Sequence, residues 1–173
     1  NPISWGLPAY GGAGCLSTDV AGIQFSMRNQ ILEVQMNKFR LQLDGERVLD
    51  RTNCSIRLPV VVQPGYQLVI SSLELSGAID RNQNYKVQSK IEVGFVGVKA
   101  VSATVAKAAD FVGQIELSKK LNGSNIMVSP CGREVMLEID SSVSLQKSQT
   151  LNAGIVDVSI DKLGTKLSVR KCR

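Results

Sequence analysis

Residues 67–98 alternate apolar and polar side chains in two arms, 67–77 and 85–98, around the polar, Asn-rich stretch 78–84. In the second arm Tyr85, Val87, Ile91, Val93 and Phe95 fall on one face, and Lys86, Gln88, Lys90 and Glu92 on the other. This is the period-2 pattern of a sheet with one dry side and one wet side. The first arm keeps Leu68 and Ile70 in phase and restarts at Leu73 and Leu75, which predicts a β-bulge near Ser71-Ser72. Together the arms read as one long β-hairpin. A lone hairpin is marginal in water, so other strands have to cover its apolar face.

The same alternation recurs on both sides. Residues 22–27 and 31–36 flank a turn at Arg28-Asn29-Gln30, and 39–43 follow as a further strand. Leu32, Val34 and Met36 share one face of that region, and Phe39, Leu41 and Leu43 another. Asp44-Gly45 is a turn signal, 46–52 a charged connection, and 54–62 a β-branched strand whose Pro59 points to an edge or a bulge. Gln63-Pro64-Gly65-Tyr66 has the Pro-Gly order of a type II turn. The Ala-rich stretch 99–109 is the one candidate for a helical turn, although Val101, Thr104 and Val105 suit a strand equally. Strands resume at 111–117, 126–128, 135–145 and 155–160, with a second bulge expected at Ser141-Ser142. Leu163-Gly164-Thr165 then turns into a last strand, 166–172. About ten short strands, with turns about every 8 to 12 residues, predict an all-β, antiparallel, jelly-roll-like β-sandwich. Residues 1–14, with Pro2, Pro8, Gly6, Gly11, Gly12 and Gly14, read as an irregular loop ending at Cys15.

The 173 residues fit a single domain spanning 1–173, large enough to bury roughly 70% of its unfolded surface. No apolar run reaches the ~18 residues of a membrane helix. The start Asn1-Pro-Ile-Ser-Trp lacks the charged and apolar regions of a signal peptide, so a secreted chain has already lost its signal. The net charge of +5 is uneven: residues 1–85 hold seven basic and seven acidic side chains, residues 86–173 thirteen and eight. An anionic partner fits that excess. The basic residues are scattered and only 5% of residues are aromatic, whereas nucleic-acid binders join a dense basic stripe to stacking aromatics. No nucleic-acid partner is expected.

The chain contains no histidine, which removes Ser-His-Asp and Cys-His catalysis and His-ligated metal sites. Cys15, Cys54, Cys131 and Cys172 stand far apart without a C-x-x-C pair, so zinc spacing is absent and two disulfides in an oxidising compartment are the simpler reading. A glycosidase would need two carboxylates facing one cleft at about 5 to 10 Å; Glu74, Asp80, Glu92, Asp110, Glu138 and Asp157 offer combinations without a distinguishing pattern. Asp80, Asn82 and Asn84 alternate as calcium ligands would, but lack the glycine and glutamate of an EF-hand and equally suit a turn. Trp5, Tyr10, Tyr66 and Tyr85 are candidates for a sugar-binding platform, with core packing as the competing role. Asn53-Cys-Ser and Asn122-Gly-Ser match the N-glycosylation pattern. No catalytic residue, cofactor or metal site is assigned.

Several short motifs follow one another in a particular order: Gly12-Ala-Gly-Cys15, Arg51-Thr-Asn-Cys54, Pro64-Gly-Tyr66, Ser129-Pro-Cys-Gly132 and a cysteine closing the last strand. Leu75-Ser-Gly77 and Phe111-Val-Gly113 add to them. This order resembles a family of secreted bacterial and fungal proteins known as domain of unknown function 4360. The chain departs from it at Leu16, where the family tends to have proline, and at Val128 and Val169, where it tends to have tryptophan. The resemblance implies secretion, a four-cysteine framework and an all-β fold, and it supplies no catalytic residues.

The expected function is therefore that of a non-catalytic binding module, secreted to the extracellular space, cell surface or periplasm. Its partner would be a glycan, the cell envelope or another protein. A carboxylate-dependent polysaccharide hydrolase and a self-associating surface protein are the alternatives. Four cysteines allow three pairings; Cys15 with Cys54 and Cys131 with Cys172 is favoured, because each pair joins sequence neighbours that flank a few strands. Each bridge then closes a loop of about 40 residues, worth roughly 4 kcal/mol in the chain-entropy model. Reduction should lower the melting temperature without exposing a catalytic thiol, and peptide mapping that links Cys15 to Cys131 or Cys172 would overturn the pairing.

Overall fold

The alternating segments fold into twelve strands in a computed structural model that describes residues 1–15, 20–26 and 28–173. They are β1 (Ile3–Trp5), β2 (Ala9–Gly11), β3 (Val20–Ser26), β4 (Ile31–Gly45), β5 (Leu49–Val62) and β6 (Tyr66–Gln83), followed by β7 (Tyr85–Phe95), β8 (Val101–Lys107), β9 (Gly113–Lys120), β10 (Met127–Val128), β11 (Glu134–Lys147) and β12 (Gly154–Lys171). One sheet runs β1-β5-β11-β7-β8, with β2 also on β5. The other runs β10-β6-β12-β4-β3, with β9 also on β6. All pairings are antiparallel, and the apolar faces of the two sheets meet in one core. The expected all-β sandwich with two disulfides is what forms, with twelve strands in place of about ten.

Residues 67–98 do not form a hairpin. β6 lies in the second sheet and β7 in the first, so the chain crosses the core between them. Asn84, at φ 75°, makes the corner. Period-2 alternation reports that each arm buries one face, and it is silent on whether the arms pair edge to edge or face each other across a core. The predicted bulge is present, because β12 pairs Lys166 with Ser72 and Leu167 with Ile70, leaving Ser71 as the extra residue. Leu68 and Ile70 before it, and Leu73 and Leu75 after it, all reach the core.

The bulge expected at Ser141-Ser142 does not form: β11 keeps continuous register with β5 and β7 through both residues. Ser141 takes the inward position between Ile139 and Val143, diagonal to inward Ser89 of β7, and neither hydroxyl finds a partner among the described residues. Ser141 interrupts the apolar stripe of β11 without shifting its phase, since Leu137, Ile139, Val143 and Leu145 are all buried.

Leu32, Val34, Met36, Phe39 and Leu43 also share a single face. β4 is one strand whose residues 36–38 are skipped opposite Asp161 of β12, which restores the phase. Glycine and β-branched residues near 163–165 continue β12 instead of turning it.

Three more expectations need correction. Residues 1–14 hold β1 and β2, which pair with β5 on either side of Pro59. Pro59 itself sits inside β5 opposite Met136 without a bulge, and its carbonyl accepts from Gly6 N at 2.8 Å. The charged connection 46–52 is shorter than expected, because β5 already begins at Leu49. Of the two readings left open for 99–109, the strand is the one that forms, over 101–107. The type II turn holds, with Tyr66 N donating to Gln63 O at 3.1 Å and Gly65 at φ 83°. Leu16 and Met27 lie outside the described residues.

Cys15 joins Cys54 and Cys131 joins Cys172. The first bridge is fully buried, while Cys131 is exposed. Close approach beside the buried bridge explains its glycines. A Cβ on Gly14 would stand 2.6 Å from the Phe39 ring, and one on Gly12 would stand 2.5 Å from Asn53 O.

Gly77 meets the same constraint at the centre of the second sheet, where a Cβ would lie 2.1 Å from Ser159 O. Gly77→Ala should therefore cost about 2–3 kcal/mol by overpacking, read from urea unfolding. Gly11→Ala, whose Cβ meets nothing within 4 Å, should leave the midpoint nearly unchanged.

Candidate functional site

The first sheet contains no register shift along β5, β11, β7 and β8, so its outward side chains stand in straight rows. From one end the rows are Leu49-Gln146-Lys86, Arg51-Ser144-Gln88-Ala106, Asn53-Ser142-Lys90-Thr104, Ser55-Asp140-Glu92-Ser102 and Arg57-Glu138-Gly94. Rows are spaced by two residues, about 6.7 Å. The alternation forces this outcome: with Ile56, Val87, Leu137 and Leu145 in the core, every second residue must face out. The second sheet has register shifts in β4, β6 and β12 and offers no comparable lattice.

Polar groups on this face divide by charge. At one end a groove of about 590 Å³ is lined by the outward Arg51, Lys86, Gln88, Ser144 and Gln146 beside apolar Leu49 and Ala106. Asp50 also lines it, but accepts from Arg47 at 2.9 Å and from Arg51 N at 2.8 Å. A second hollow along the face, about 230 Å³ and mixed in charge, is lined by Arg51, Asn53, Lys90, Glu92, Asp140 and Ser142. The far end is acidic, where Glu92, Glu138 and Asp140 line a hollow of about 190 Å³. Lys90 bridges to Glu92, and Arg57 to Glu138, each at 3.4 Å. The Glu138 carboxyl is raised above its ordinary value, first by a hydrogen bond with Asp140, then by burial and by the charges of Asp140 and Glu92, against the pull of Arg57.

The aromatic candidates lie elsewhere. Trp5 and Tyr10 come together with Phe25, Pro8, Ile23 and Leu58 around a cleft of about 290 Å³ at the edge of the sandwich. There the Trp5 and Phe25 rings sit 5.1 Å apart. Tyr66 is half-buried at a corner, where its carbonyl accepts from Gly132 N at 2.8 Å. Tyr85 is fully buried and donates its hydroxyl to Arg47 O at 2.6 Å, and burial pushes its pKa up.

The alternating Asp80, Asn82 and Asn84 build the crossing between the sheets. Asn82 Nδ2 donates to Tyr85 O at 2.9 Å and to Phe111 O at 3.1 Å. Asn84 Nδ2 donates to Gln149 O at 2.8 Å, and Asn84 N donates to Asp110 at 2.7 Å. Asp80 is the extra residue of a bulge. Among the described residues no three His, Cys, Asp or Glu side chains gather as a metal site would require.

The remaining carboxylates are dispersed. Glu74 faces outward on the second sheet, where Asp157 accepts from Arg40 Nε at 2.7 Å and from Gln42 at 3.1 Å. Arg40 draws the Asp157 carboxyl below its ordinary value. Of the six carboxylates singled out in the sequence, the structure brings together Glu92 and Glu138 and adds Asp140. The polar face of β7 was legible in the sequence. Its partners on β5 and β11 were not, because reading a bulge at Ser141 put half of β11 in the wrong phase.

A family model described as domain of unknown function (DUF4360) matches residues 6–172. The chain belongs to this family. No curated protein matches it. Among solved structures, TmCBM61 in complex with β-1,4-galactotriose is 13% identical over 95% of this chain and 88% of that chain, with TM-score 0.35. TmCBM27, a carbohydrate-binding module that recognises mannan, is 8% identical over 98% and 99%, with TM-score 0.35. A protein of infectious bursal disease virus Gx strain is 12% identical over 95% of this chain and 32% of that chain, with TM-score 0.38. Likeness at this level carries nothing about function, and the site of this DUF4360 member stands on its own geometry.

A raised carboxyl binds its proton more tightly folded than unfolded. Stability therefore falls as pH rises from the ordinary glutamate value through the raised one of Glu138. Glu138→Gln should remove that loss, so its stability advantage over the wild type grows as pH climbs above about 4.3. Melting temperatures between acid and neutral pH check the slope.

Proposed function

We propose that this DUF4360 member is a non-catalytic, secreted or surface-exposed binding module whose ligand is a glycan, bound on the outer face of the β5-β11-β7-β8 sheet. The single observation behind this reading is the straight lattice of exposed amide, hydroxyl and charged side chains around the groove of about 590 Å³. A saccharide presents many hydroxyls in fixed directions. Planar groups such as Gln88, Gln146 and Arg51 on rigid strands meet them with little ordering cost, and outward Leu49 and Ala106 offer apolar surface to a ring. The volume falls within the range of small-molecule sites, about 300–1,000 Å³.

The aromatic cleft suits a sugar less well, since its lining is apolar apart from the tips of Trp5 and Tyr10. Nucleic acid is a poor fit because none of the five rows carries an aromatic side chain for base stacking. Self-association through the edge of β8 is opposed by Lys119 of the other sheet, whose Nζ donates to Ser102 O at 2.9 Å. Two disulfides support an oxidising destination, and among the described residues no helix is long and apolar enough to cross a membrane.

Hydrolysis is the second reading, favoured only by the acidic end of the same face. Glu138 and Asp140 stand side by side in adjacent rows of one strand, with Glu138 bridged to Arg57, whereas glycosidase carboxylates flank the scissile bond from facing positions. Titration calorimetry against a panel of soluble oligosaccharides should give saturable binding without turnover. Arg51→Ala combined with Gln88→Ala should weaken it by at least about tenfold, or 1.4 kcal/mol, while Glu116→Gln on the opposite sheet leaves it unchanged. Release of reducing ends that Glu138→Gln abolishes would replace this reading with the hydrolase.

A further inference from the structure

The charge pattern of the face narrows the ligand class, on the premise that the face is a glycan site. Arg51 and Lys86 face out along the large groove against the single carboxylate of Asp50, whereas Lys107 pairs with inward Val87 and holds its Nζ 4.6 Å from the Phe111 ring centroid. Both oxygens of Asp50 are already engaged, one by the Arg47 guanidinium and the other by Arg51 N. Among the described residues no carboxylate lies within salt-bridge distance of Arg51 or Lys86. At the acidic end the pairing is different, because Arg57 and Lys90 each meet a glutamate there. Unspent positive charge is thus concentrated at one end of the groove face and unspent negative charge at the other.

We propose that the ligand is an acidic glycan, whose carboxylate or sulfate groups lie at the Arg51-Lys86 end while its hydroxyls run along the polar rows. Three features carry this assignment. Arg51 offers a planar fork that matches a carboxylate or sulfate with two parallel hydrogen bonds. Lys86 and Gln88 stand two residues apart on one outward face of β7, and Arg51 shares a row with Gln88, so cationic and amide donors converge on one stretch of groove. None of the five rows holds an aromatic side chain, which leaves charge as the source of affinity that stacking would otherwise supply. The acidic end, in turn, sets the direction of the bound chain by repelling anionic groups from Glu92, Glu138 and Asp140.

The test uses two matched pairs of probes: oligogalacturonate against its methyl ester, and dextran sulfate against dextran. Calorimetry is run at low and at near-physiological ionic strength, where the screening length shrinks to about 8 Å. At least one charged probe should bind about tenfold or more tightly than its neutral partner, and salt should weaken it. Arg51→Gln with Lys86→Gln should bring the charged probe down to the neutral one, with an unchanged circular dichroism spectrum and melting temperature. Glu92→Gln should strengthen binding of the charged probe by a few-fold. Which pair responds separates a uronate from a sulfated glycan. Equal binding of charged and neutral members overturns this inference and leaves the glycan reading standing. Equal binding of polyglutamate, anionic without sugar, overturns the assignment to glycan charge. Tight binding that the double variant does not weaken overturns its location in the groove. Failure of all four probes overturns the inference, and failure of the wider oligosaccharide panel as well removes the glycan reading beneath it.

Discussion

A strand with apolar residues at every second position can remove them from water only by laying that face against another such strand. In this chain each long segment finds its cover on the opposite sheet: β4, β6 and β12 on one side, β5, β7 and β11 on the other. Burying one large aliphatic or aromatic side chain contributes about 1.5–3 kcal/mol, whereas an exposed ion pair contributes about 0–1 kcal/mol. The inward stripe therefore decides strand phase, and the polar face inherits what remains. The crossings between sheets follow from the same requirement. At the β6–β7 corner the Asn82 and Asn84 amides satisfy backbone groups of neighbouring loops, and Tyr85 drops its ring into the core directly after the turn.

The two sheets meet that requirement differently, and the difference positions the candidate site. In the second sheet Ser71, Asp80 and Asp161 are extra residues that bring the apolar stripe back into phase, at the cost of a broken outer surface. In the first sheet the register is unbroken, because Ser89 and Ser141 accept inward positions where a hydrophobic residue would pack better. Their hydroxyls find no partner among the described residues. A small loss of core quality thereby accompanies a regular outer lattice. That lattice holds Arg51, Gln88, Ser144 and their neighbours at fixed spacings, a good match for a polymer with a repeat.

The covalent and close-packed features support the same frame. The buried Cys15–Cys54 bridge ties the N-terminal segment to β5, and Gly12 and Gly14 allow the backbone near enough for that bridge to form. The exposed Cys131–Cys172 bridge ties the segment before β11 to the end of β12. None of the four cysteines lines the groove, so oxidation contributes rigidity to the scaffold and leaves the polar face to its own chemistry.

Alternation along the sequence was enough to establish strands, an all-β sandwich and the bulge at Ser71, because side-chain period and burial are local properties of the chain. The lack of histidine and the spread of the cysteines were equally local, and they removed most catalytic chemistry. Pairing was another matter. The arms 67–77 and 85–98 have the pattern of a hairpin whether they hydrogen-bond to each other or face each other across a core, so only the tertiary structure could separate the two. It also decided that Ser141 faces inward and Asp140 outward, and that Arg51, distant in sequence from Lys86 and Gln88, stands on their face. The physical reason is that a row across a sheet is made of residues far apart along the chain, and backbone hydrogen bonds set its register without regard to side-chain identity. Trp5 and Tyr10 were recognised as residue types suited to a sugar, but their edge location depends on β1 and β2 docking on either side of Pro59.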